Sequence, residues 1–206
     1  RHIYQKPFNN LNLSFVNKVK KDCPRISFLK IEINSDISDY KGDLKSYFDL
    51  LKTSKNNFFT DISNFISYET GQPTHAYDFS KLNDVIILDE ISKDIEFNTL
   101  LDTKINLTGK NTVFLSKNEV INLAGIMGGK DTRCSKETKS VLIECAYFIP
   151  EIIVGKALKY DINSEAAHKF ERGTDPLCHE DVLRRFVQIV EDHASINKVE
   201  YFSEVN

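Results

Sequence analysis

An acidic residue stands inside an otherwise apolar stretch of the chain. Glu144 follows Val141, Leu142 and Ile143, in a segment predicted to form a β-strand. A carboxylate removed from water is costly unless a hydrogen-bond donor reaches it, so Glu144 is a candidate to bind a donor group of a ligand. The alternative is that Glu144 faces solvent on an edge strand or pairs with a neighbouring lysine.

A glycine-rich turn and a histidine are further candidates for a ligand site. Gly125, Gly128 and Gly129 follow a predicted strand and permit close approach of the backbone to a ligand. A tight turn that needs positive φ explains the same glycines, and both explanations can hold at once. His75 follows Pro73 in a predicted loop, where catalytic side chains often lie, although a lone histidine is more often structural.

Several reaction motifs are missing from the sequence. It contains neither a GxxxxGK[ST] nor a GxGxxG phosphate loop, and no GxSxG elbow for a serine nucleophile. The four cysteines are widely spaced without a CxxC pair, which predicts reduced, buried thiols. His168 and Glu171 lie at i and i+3 but lack a third ligand, so we expect a solvated helix surface and no metal site.

The apolar spacing predicts helices on both sides of a strand-rich middle section. Helical spacing predicts a helix from Gly42, a second helix capped by Asp61 and stopped at Gly71, a return of helix near Pro150, and a last helix from Asp175. Apolar runs predict strands at 26–33, 85–88, 113–116, 120–124 and 141–145. Helices that flank a mixed, mostly antiparallel sheet imply a single-domain α+β fold.

Composition and charge narrow the class of protein. The chain has 206 residues, of which 41% are hydrophobic and 28% charged, which is typical of one globular domain. Its apolar runs are far shorter than the ~20 residues needed to span a bilayer, and no signal peptide opens it. We therefore expect a soluble, cytoplasmic protein. The net charge of −3 without a basic stripe predicts weak RNA affinity for the chain alone.

Six stretches, in order, resemble the bacterial-type phenylalanyl-tRNA synthetase beta subunit. They are Asp61–Asn64, Gly71–Asp78, Leu123–Gly129, Val141–Phe148, Ser164–Ala166 and Phe170–Pro176. Each stretch is weak evidence by itself, but their joint order and spacing are specific. They define a motif-bearing core at 57–190, whereas residues 1–40 form a weakly resembling lead-in in which only Cys23–Arg25 is similar.

The resemblance implies that residues 1–206 are the central editing domain of that subunit. Such a domain hydrolyses the ester of mischarged Tyr-tRNA(Phe) and supports phenylalanine–tRNA ligation by the full enzyme. The implied partners are tRNA(Phe), the tyrosine moiety of the mischarged tRNA and the alpha subunit, with no membrane. The domain needs no cofactor, whereas the full synthetase uses ATP and magnesium. Because class II synthetase motifs are missing, we expect the chain to be part of a longer polypeptide.

The family's editing pocket can be carried over position by position. It implies catalytic roles for His75, Asn64 and Ser63, and substrate binding by Glu144, Gly125, Gly128, Ser164 and Ala166. Glu144 would recognise the phenol, because a hydrophobic pocket rejects an added hydroxyl only about a hundredfold. An aminoacyl ester is already activated, so a positioned water suffices, and general-base catalysis by His75 stays an alternative.

The sequence departs from the family at three positions. Ser63 and Ser164 stand where the family commonly has threonine, and Tyr77 stands where it has phenylalanine. Serine keeps the hydroxyl but loses the methyl group that stiffens the rotamer. The departures leave open a structural or tRNA-docking module without editing activity. A free-standing deacylase is a third possibility.

Overall fold

The computed structural model describes residues 2–83 and 85–206. The helices are α1 (Gly42–Leu51), α2 (Phe58–Thr70), α3 (Lys156–Lys159), α4 (Glu165–Glu171) and α5 (His179–His193). The first strands are β1 (Asn9–Asn10), β2 (Ser14–Asn17), β3 (Arg25–Ile33), β4 (His75–Asp78), β5 (Val85–Ile91) and β6 (Ile95–Asn98). The remaining strands are β7 (Lys104–Leu107), β8 (Asn111–Ser116), β9 (Glu119–Leu123), β10 (Met127–Gly128), β11 (Ser140–Tyr147) and β12 (Ile196–Val205).

Ten of the described strands form two five-stranded sheets. The first sheet has the order β1-β12-β3-β11-β4, and the second has the order β10-β9-β8-β5-β2. Each sheet is antiparallel except for one parallel edge pair, β1 with β12 and β2 with β5. Strands β6 and β7 form a separate hairpin. The predicted α+β fold with a mixed, mostly antiparallel sheet is confirmed, although the strands divide between two main sheets.

The first sheet is buried on both faces. In β11, Ile143 and Cys145 belong to a core shared with α2 and α5, whereas Leu142 and Ala146 belong to a second core shared with the other sheet. Alternate residues of a strand point to opposite faces, so Glu144 lies on the face that packs against the second sheet. Because β11 lies between β3 and β4, the edge-strand alternative for Glu144 is wrong.

Helix α2 begins and ends with side-chain and backbone caps. Asn57 is the N-cap, and its side chain accepts a hydrogen bond from the Thr60 N–H at 3.1 Å. The predicted capping role of Asp61 is therefore wrong: this carboxylate instead accepts from the Tyr40 hydroxyl at 2.6 Å. Gly71 ends the helix as predicted, because its φ of 81° is a left-handed conformation that favours glycine.

Other predicted elements differ at their boundaries. The last helix, α5, begins at His179 rather than at Asp175, whose side chain accepts from the Leu177 N–H at 2.8 Å. Near Pro150 the chain forms a short 3-10 turn before α3. His75 opens strand β4, so its placement in a loop is wrong. The described residues contain no helix that is both long and apolar enough to cross a membrane.

The cap of α2 can be tested by substitution. We expect Asn57→Ala to lower the free energy of unfolding by about 1–2 kcal/mol, because the Thr60 N–H loses its acceptor. Urea denaturation measures this change. Asn57→Ser is the matched control, because its hydroxyl keeps an acceptor for the cap while it, like alanine, lacks the amide donor to the Cys134 carbonyl. Equal stability of Asn57→Ala and the native chain would contradict the assignment of the cap.

Candidate functional site

A cavity of about 820 Å³ opens where the two sheets, α2 and α4 meet. Its wall includes every site residue predicted from the sequence, namely Ser63, Asn64, His75, Gly125, Gly128, Glu144, Ser164 and Ala166. These residues come from α2, β4, the turn around β10, β11 and the start of α4. The fold therefore brings the predicted residues together around one cavity.

Glu144 is a buried carboxylate in the cavity wall. Only 5% of its surface is exposed, and burial raises the pKa of its side chain to about 7. The Tyr77 hydroxyl donates to Glu144 Oε2 at 2.7 Å, which opposes the effect of burial on the pKa. The Asn122 side-chain amide in turn donates to the Tyr77 hydroxyl oxygen at 2.8 Å. Glu144 therefore has an internal partner, which is a phenol rather than a lysine.

His75 lies directly opposite Glu144 in the register of β4 and β11. Side chains opposite each other on one face of a sheet are close neighbours. The imidazole packs edge-on against the Tyr77 ring, with 4.4 Å between ring centroids. Burial lowers the pKa of His75 to about 4, so the ring is neutral at pH 7. Its buried Nε2 atom has no protein hydrogen-bond partner.

Two hydroxyl groups of other cavity-lining residues are also unpaired. Ser63 Oγ on α2 and Thr74 Oγ1 before β4 line the cavity, are buried and lack a hydrogen-bond partner. A buried polar group left unpaired costs about 1–3 kcal/mol, so three residues of the cavity wall carry unsatisfied hydrogen-bonding capacity. Asn64, one residue further along α2, is exposed at the cavity. Thr74 was missed by the sequence analysis, although it lies in the Gly71–Asp78 motif.

The glycines of the turn have different physical roles. Gly125 has a φ of 70°, and a Cβ atom there would lie 2.8 Å from Ile153 Cδ1, so this glycine serves the turn and its packing. A Cβ atom on Gly128 would lie only 2.2 Å from His75 Cε1. Gly128 therefore allows the imidazole to pack directly on the backbone of β10, and it fixes the position of His75.

Ser164 connects helix α4 to the glycine turn. Its hydroxyl donates to the Ile126 carbonyl oxygen at 2.7 Å and accepts from the Ala167 N–H at 3.1 Å as the N-cap of α4. The hydroxyl is thus engaged in positioning the cavity wall. Ala166 lines the cavity from the first turn of α4, where its small side chain leaves space.

The described residues do not provide a recognisable cation site. Within 2–83 and 85–206, no group of three or more His, Cys, Asp or Glu side chains is arranged to hold a metal ion. The residues that line the cavity include three carboxylates (Glu137, Glu144 and Glu165), the imidazole of His75, neutral amides and hydroxyls, and the basic residues Arg133 and Lys136. All four cysteines are free thiols, and only Cys178 among them is partly exposed.

A comparison with known families places most of the chain in one domain family. The B3/4 domain family matches residues 23–195, which is most of the chain. The chain belongs to the B3/4 domain family.

Curated relatives of the chain are beta subunits of phenylalanine–tRNA ligase. The phenylalanine–tRNA ligase beta subunit of Photorhabdus laumondii is 34% identical over 132 residues, covering 64% of this chain and 17% of the relative. The same subunit of Francisella tularensis is 34% identical over 139 residues, covering 67% and 18%. The chain thus spans less than a fifth of the length of these relatives. The predicted resemblance to the phenylalanyl-tRNA synthetase beta subunit is confirmed.

The likeness to a solved structure concerns the fold alone. An N-terminal fragment of the phenylalanyl-tRNA synthetase beta subunit from Pyrococcus horikoshii superposes with a TM-score of 0.57 at 12% identity. The match covers 96% of this chain and 53% of that fragment.

The contact between Gly128 and His75 predicts a coupled pair of substitutions. Gly128→Ala should lower the free energy of unfolding by about 1–3 kcal/mol, because the new methyl group displaces the imidazole. In a His75→Ala background we expect less than about half of that cost, since the remaining neighbour is the flexible tip of Leu100. Urea denaturation of the four proteins measures the coupling. An equal cost in both backgrounds would show that the imidazole is not what Gly128 accommodates.

Burial of Glu144 predicts how stability depends on pH. Its pKa rises from 4.5 in the unfolded chain to about 7 in the folded chain, so the folded state binds more protons between these values. Stability from this group is therefore present below about pH 4.5 and lost as the pH rises through 7, by at most about 3 kcal/mol. The lowered pKa of His75 has the opposite effect on stability, because it stabilises the fold as the pH rises from about 4 to 6.5.

Comparison with Glu144→Gln isolates the carboxylate. The variant retains His75 and an oxygen acceptor for Tyr77, so only the ionisation of Glu144 is removed. Relative to the native chain, we expect Glu144→Gln to gain stability between pH 4.5 and pH 8 in urea titrations. A difference that is independent of pH would contradict the burial of an ionisable Glu144.

Proposed function

We propose that this domain hydrolyses the ester of mischarged Tyr-tRNA(Phe) as the editing module of a phenylalanyl-tRNA synthetase. The observation that carries the proposal is a cavity that places a desolvated carboxylate beside unpaired polar atoms. In this proposal the domain supports phenylalanine–tRNA ligation by the full cytoplasmic enzyme. ATP and magnesium act elsewhere in that enzyme.

The carboxylate supports recognition of tyrosine. Tyr77 uses Oε2 of Glu144, and no donor among the described residues is bonded to Oε1. The phenol of a bound tyrosine would donate to this oxygen in a site largely shielded from water. Phenylalanine would leave the same acceptor unpaired, and a site built to bind a hydroxyl rejects the analogue without it by about four to five powers of ten.

The unpaired atoms support the positioning of a hydrolytic water. Ser63 Oγ, Thr74 Oγ1 and His75 Nε2 are buried, unpaired atoms of residues that line the same cavity. In this proposal they turn toward a bound water, which needs two to four such partners. A neutral imidazole with a pKa of about 4 is a weak base at pH 7. We therefore assign His75 the positioning of water rather than general-base catalysis. Asn64, exposed at the cavity, is available to the terminal nucleotide or the developing oxyanion.

The charge of the chain supports the proposal that other parts of the synthetase make most contacts to the tRNA. The chain carries a net charge of −3, so it has little general affinity for RNA phosphates. Arg133 and Lys136 at the cavity offer local positive charge. In this proposal most contacts to tRNA(Phe) come from the remainder of the beta subunit and from the alpha subunit.

A structural or tRNA-docking module without editing activity is the second candidate. The internal phenol of Tyr77 favours it, because one oxygen of Glu144 is already satisfied without a substrate. This candidate predicts that the cavity does not select tyrosine.

Deacylation of preformed Tyr-tRNA(Phe) by the full synthetase distinguishes the two functions. Glu144→Ala and His75→Ala should each slow hydrolysis at least about tenfold, which corresponds to about 1.4 kcal/mol of lost transition-state stabilisation. Phenylalanylation by the same variants should stay within about twofold of native, since we place that reaction elsewhere in the enzyme. Glu119→Ala, at an exposed position on β9, is the control that should hydrolyse normally. Native hydrolysis rates in both cavity variants would leave the non-editing module as the function.

A further inference from the structure

We propose that Tyr77 is a positioning residue for substrate selection: its phenol, oriented by Asn122, holds one oxygen of Glu144 and presents the other as a fixed acceptor to the tyrosine ring of the substrate. The inference rests on the proposed editing function and assigns a role to a residue by which this chain departs from the family pattern. It also explains why a carboxylate that is to bind a ligand already has an internal partner.

The direction of the hydrogen bonds is fixed by chemistry. The Asn122 amide nitrogen can only donate, so the Tyr77 oxygen must accept from it at 2.8 Å. The single hydroxyl proton of Tyr77 is then directed to Glu144 Oε2 at 2.7 Å. Because Oε2 already accepts the hydrogen bond from Tyr77, it is less available than Oε1 for protonation or for a second strong donor. The chain thereby distinguishes the two oxygens of one carboxylate.

Tyr77 reaches Glu144 from within the protein rather than from the cavity. Its side chain is fully buried in the core between the two sheets, and it is not part of the cavity wall. Glu144 itself does line the cavity. Tyr77 therefore contacts the carboxylate from the core side and does not occupy the space that a substrate ring would fill.

The same bond maintains Glu144 as an acceptor. Burial favours the protonated carboxyl, and the hydrogen bond from Tyr77 favours the charged form. A protonated carboxyl donates as well as accepts, so it distinguishes a phenol from a plain ring less sharply. Loss of the Tyr77 hydroxyl should therefore raise the pKa of Glu144 and weaken the preference for tyrosine at neutral pH.

The cavity wall that contains Glu144 also carries Arg133, Lys136, Glu137 and Glu165. The buried titratable groups that interact with Glu144 inside the protein stay neutral at pH 7. His75, opposite on β4, has its pKa lowered to about 4 by burial. The Cys23 thiol, ahead of β3, has its pKa raised well above its usual value by burial and by Glu144. Tyr77 likewise has a raised pKa, because it is buried beside Glu144. Glu144 is the group in this cluster whose charge changes near neutral pH.

Tyr77→Phe in the full synthetase tests the proposal through the pH dependence of deacylation. For native enzyme, kcat/KM for Tyr-tRNA(Phe) should rise with the ionisation of a group of pKa about 7. For Tyr77→Phe we expect the midpoint to move upward by about one pH unit, so that kcat/KM at pH 7 falls about fivefold and recovers at high pH. Tyr160→Phe, which removes a phenol bonded to Thr108 and Asn111 outside the cavity, should leave the profile unchanged.

A second variant covers the case in which Tyr77→Phe fails to fold. Asn122→Ala keeps the phenol but removes the donor that orients it, so the midpoint should move in the same direction by a smaller amount. A native pH profile in the folded variants would overturn the role of Tyr77. Faster hydrolysis of Tyr-tRNA(Phe) by Tyr77→Phe at every pH would also overturn it, by showing that Tyr77 competes with the substrate. Native enzyme that does not deacylate at all would instead refute the underlying editing function.

Discussion

Glu144 lies on an interior strand with 5% of its surface exposed, and its charge must be stabilised there by hydrogen bonds. The surrounding structure supplies them through distant parts of the chain. Tyr77 lies on β4 and donates to one oxygen of the carboxylate, and Asn122 on β9 donates to the Tyr77 hydroxyl. The two sheets must pack in this one arrangement for the network to close. The site and the core between the two sheets therefore depend on the same packing of the sheets.

Close packing then fixes the rest of the cavity around the carboxylate. His75 lies opposite Glu144 because of the β4–β11 register, and Gly128 admits the imidazole because it has no side chain. Ser164 joins the glycine turn to α4 through the Ile126 carbonyl. These contacts leave a few polar atoms unpaired in an otherwise satisfied interior. Such a pattern is more informative about function than the fold, since one fold can host many functions.

The sequence was most informative where the signal is local. Helical spacing predicts α5, a glycine signal predicts the end of α2, and an apolar run predicts the strand around Glu144. Strand β12 was missed, because most of its residues are polar or partly exposed and Val199 is its one buried residue. Its pairing with β3 provides the stabilisation that its own pattern does not reveal.

The residues predicted from the ordered motifs, including Glu144 and His75, all lie at one cavity, but the sequence did not predict the contacts between them. The bond from Tyr77 to Glu144 joins residues far apart in the sequence, and the amide of Asn122 comes from the other sheet. No periodicity encodes such contacts, since they depend on how two sheets pack. The interior position of β11 depends in the same way on β3 and β4, which come from earlier parts of the chain.

A crystal structure of this chain with bound tyrosine, compared with a matched phenylalanine soak, tests the central claim most directly. The account predicts a tyrosine ring in the cavity with its phenol oxygen about 2.6–3.0 Å from Glu144 Oε1, while the Tyr77 hydroxyl stays on Oε2. Phenylalanine should be weakly bound or absent at the same concentration. A tyrosine bound with its phenol away from Glu144, or equal occupancy by both amino acids, would contradict the account.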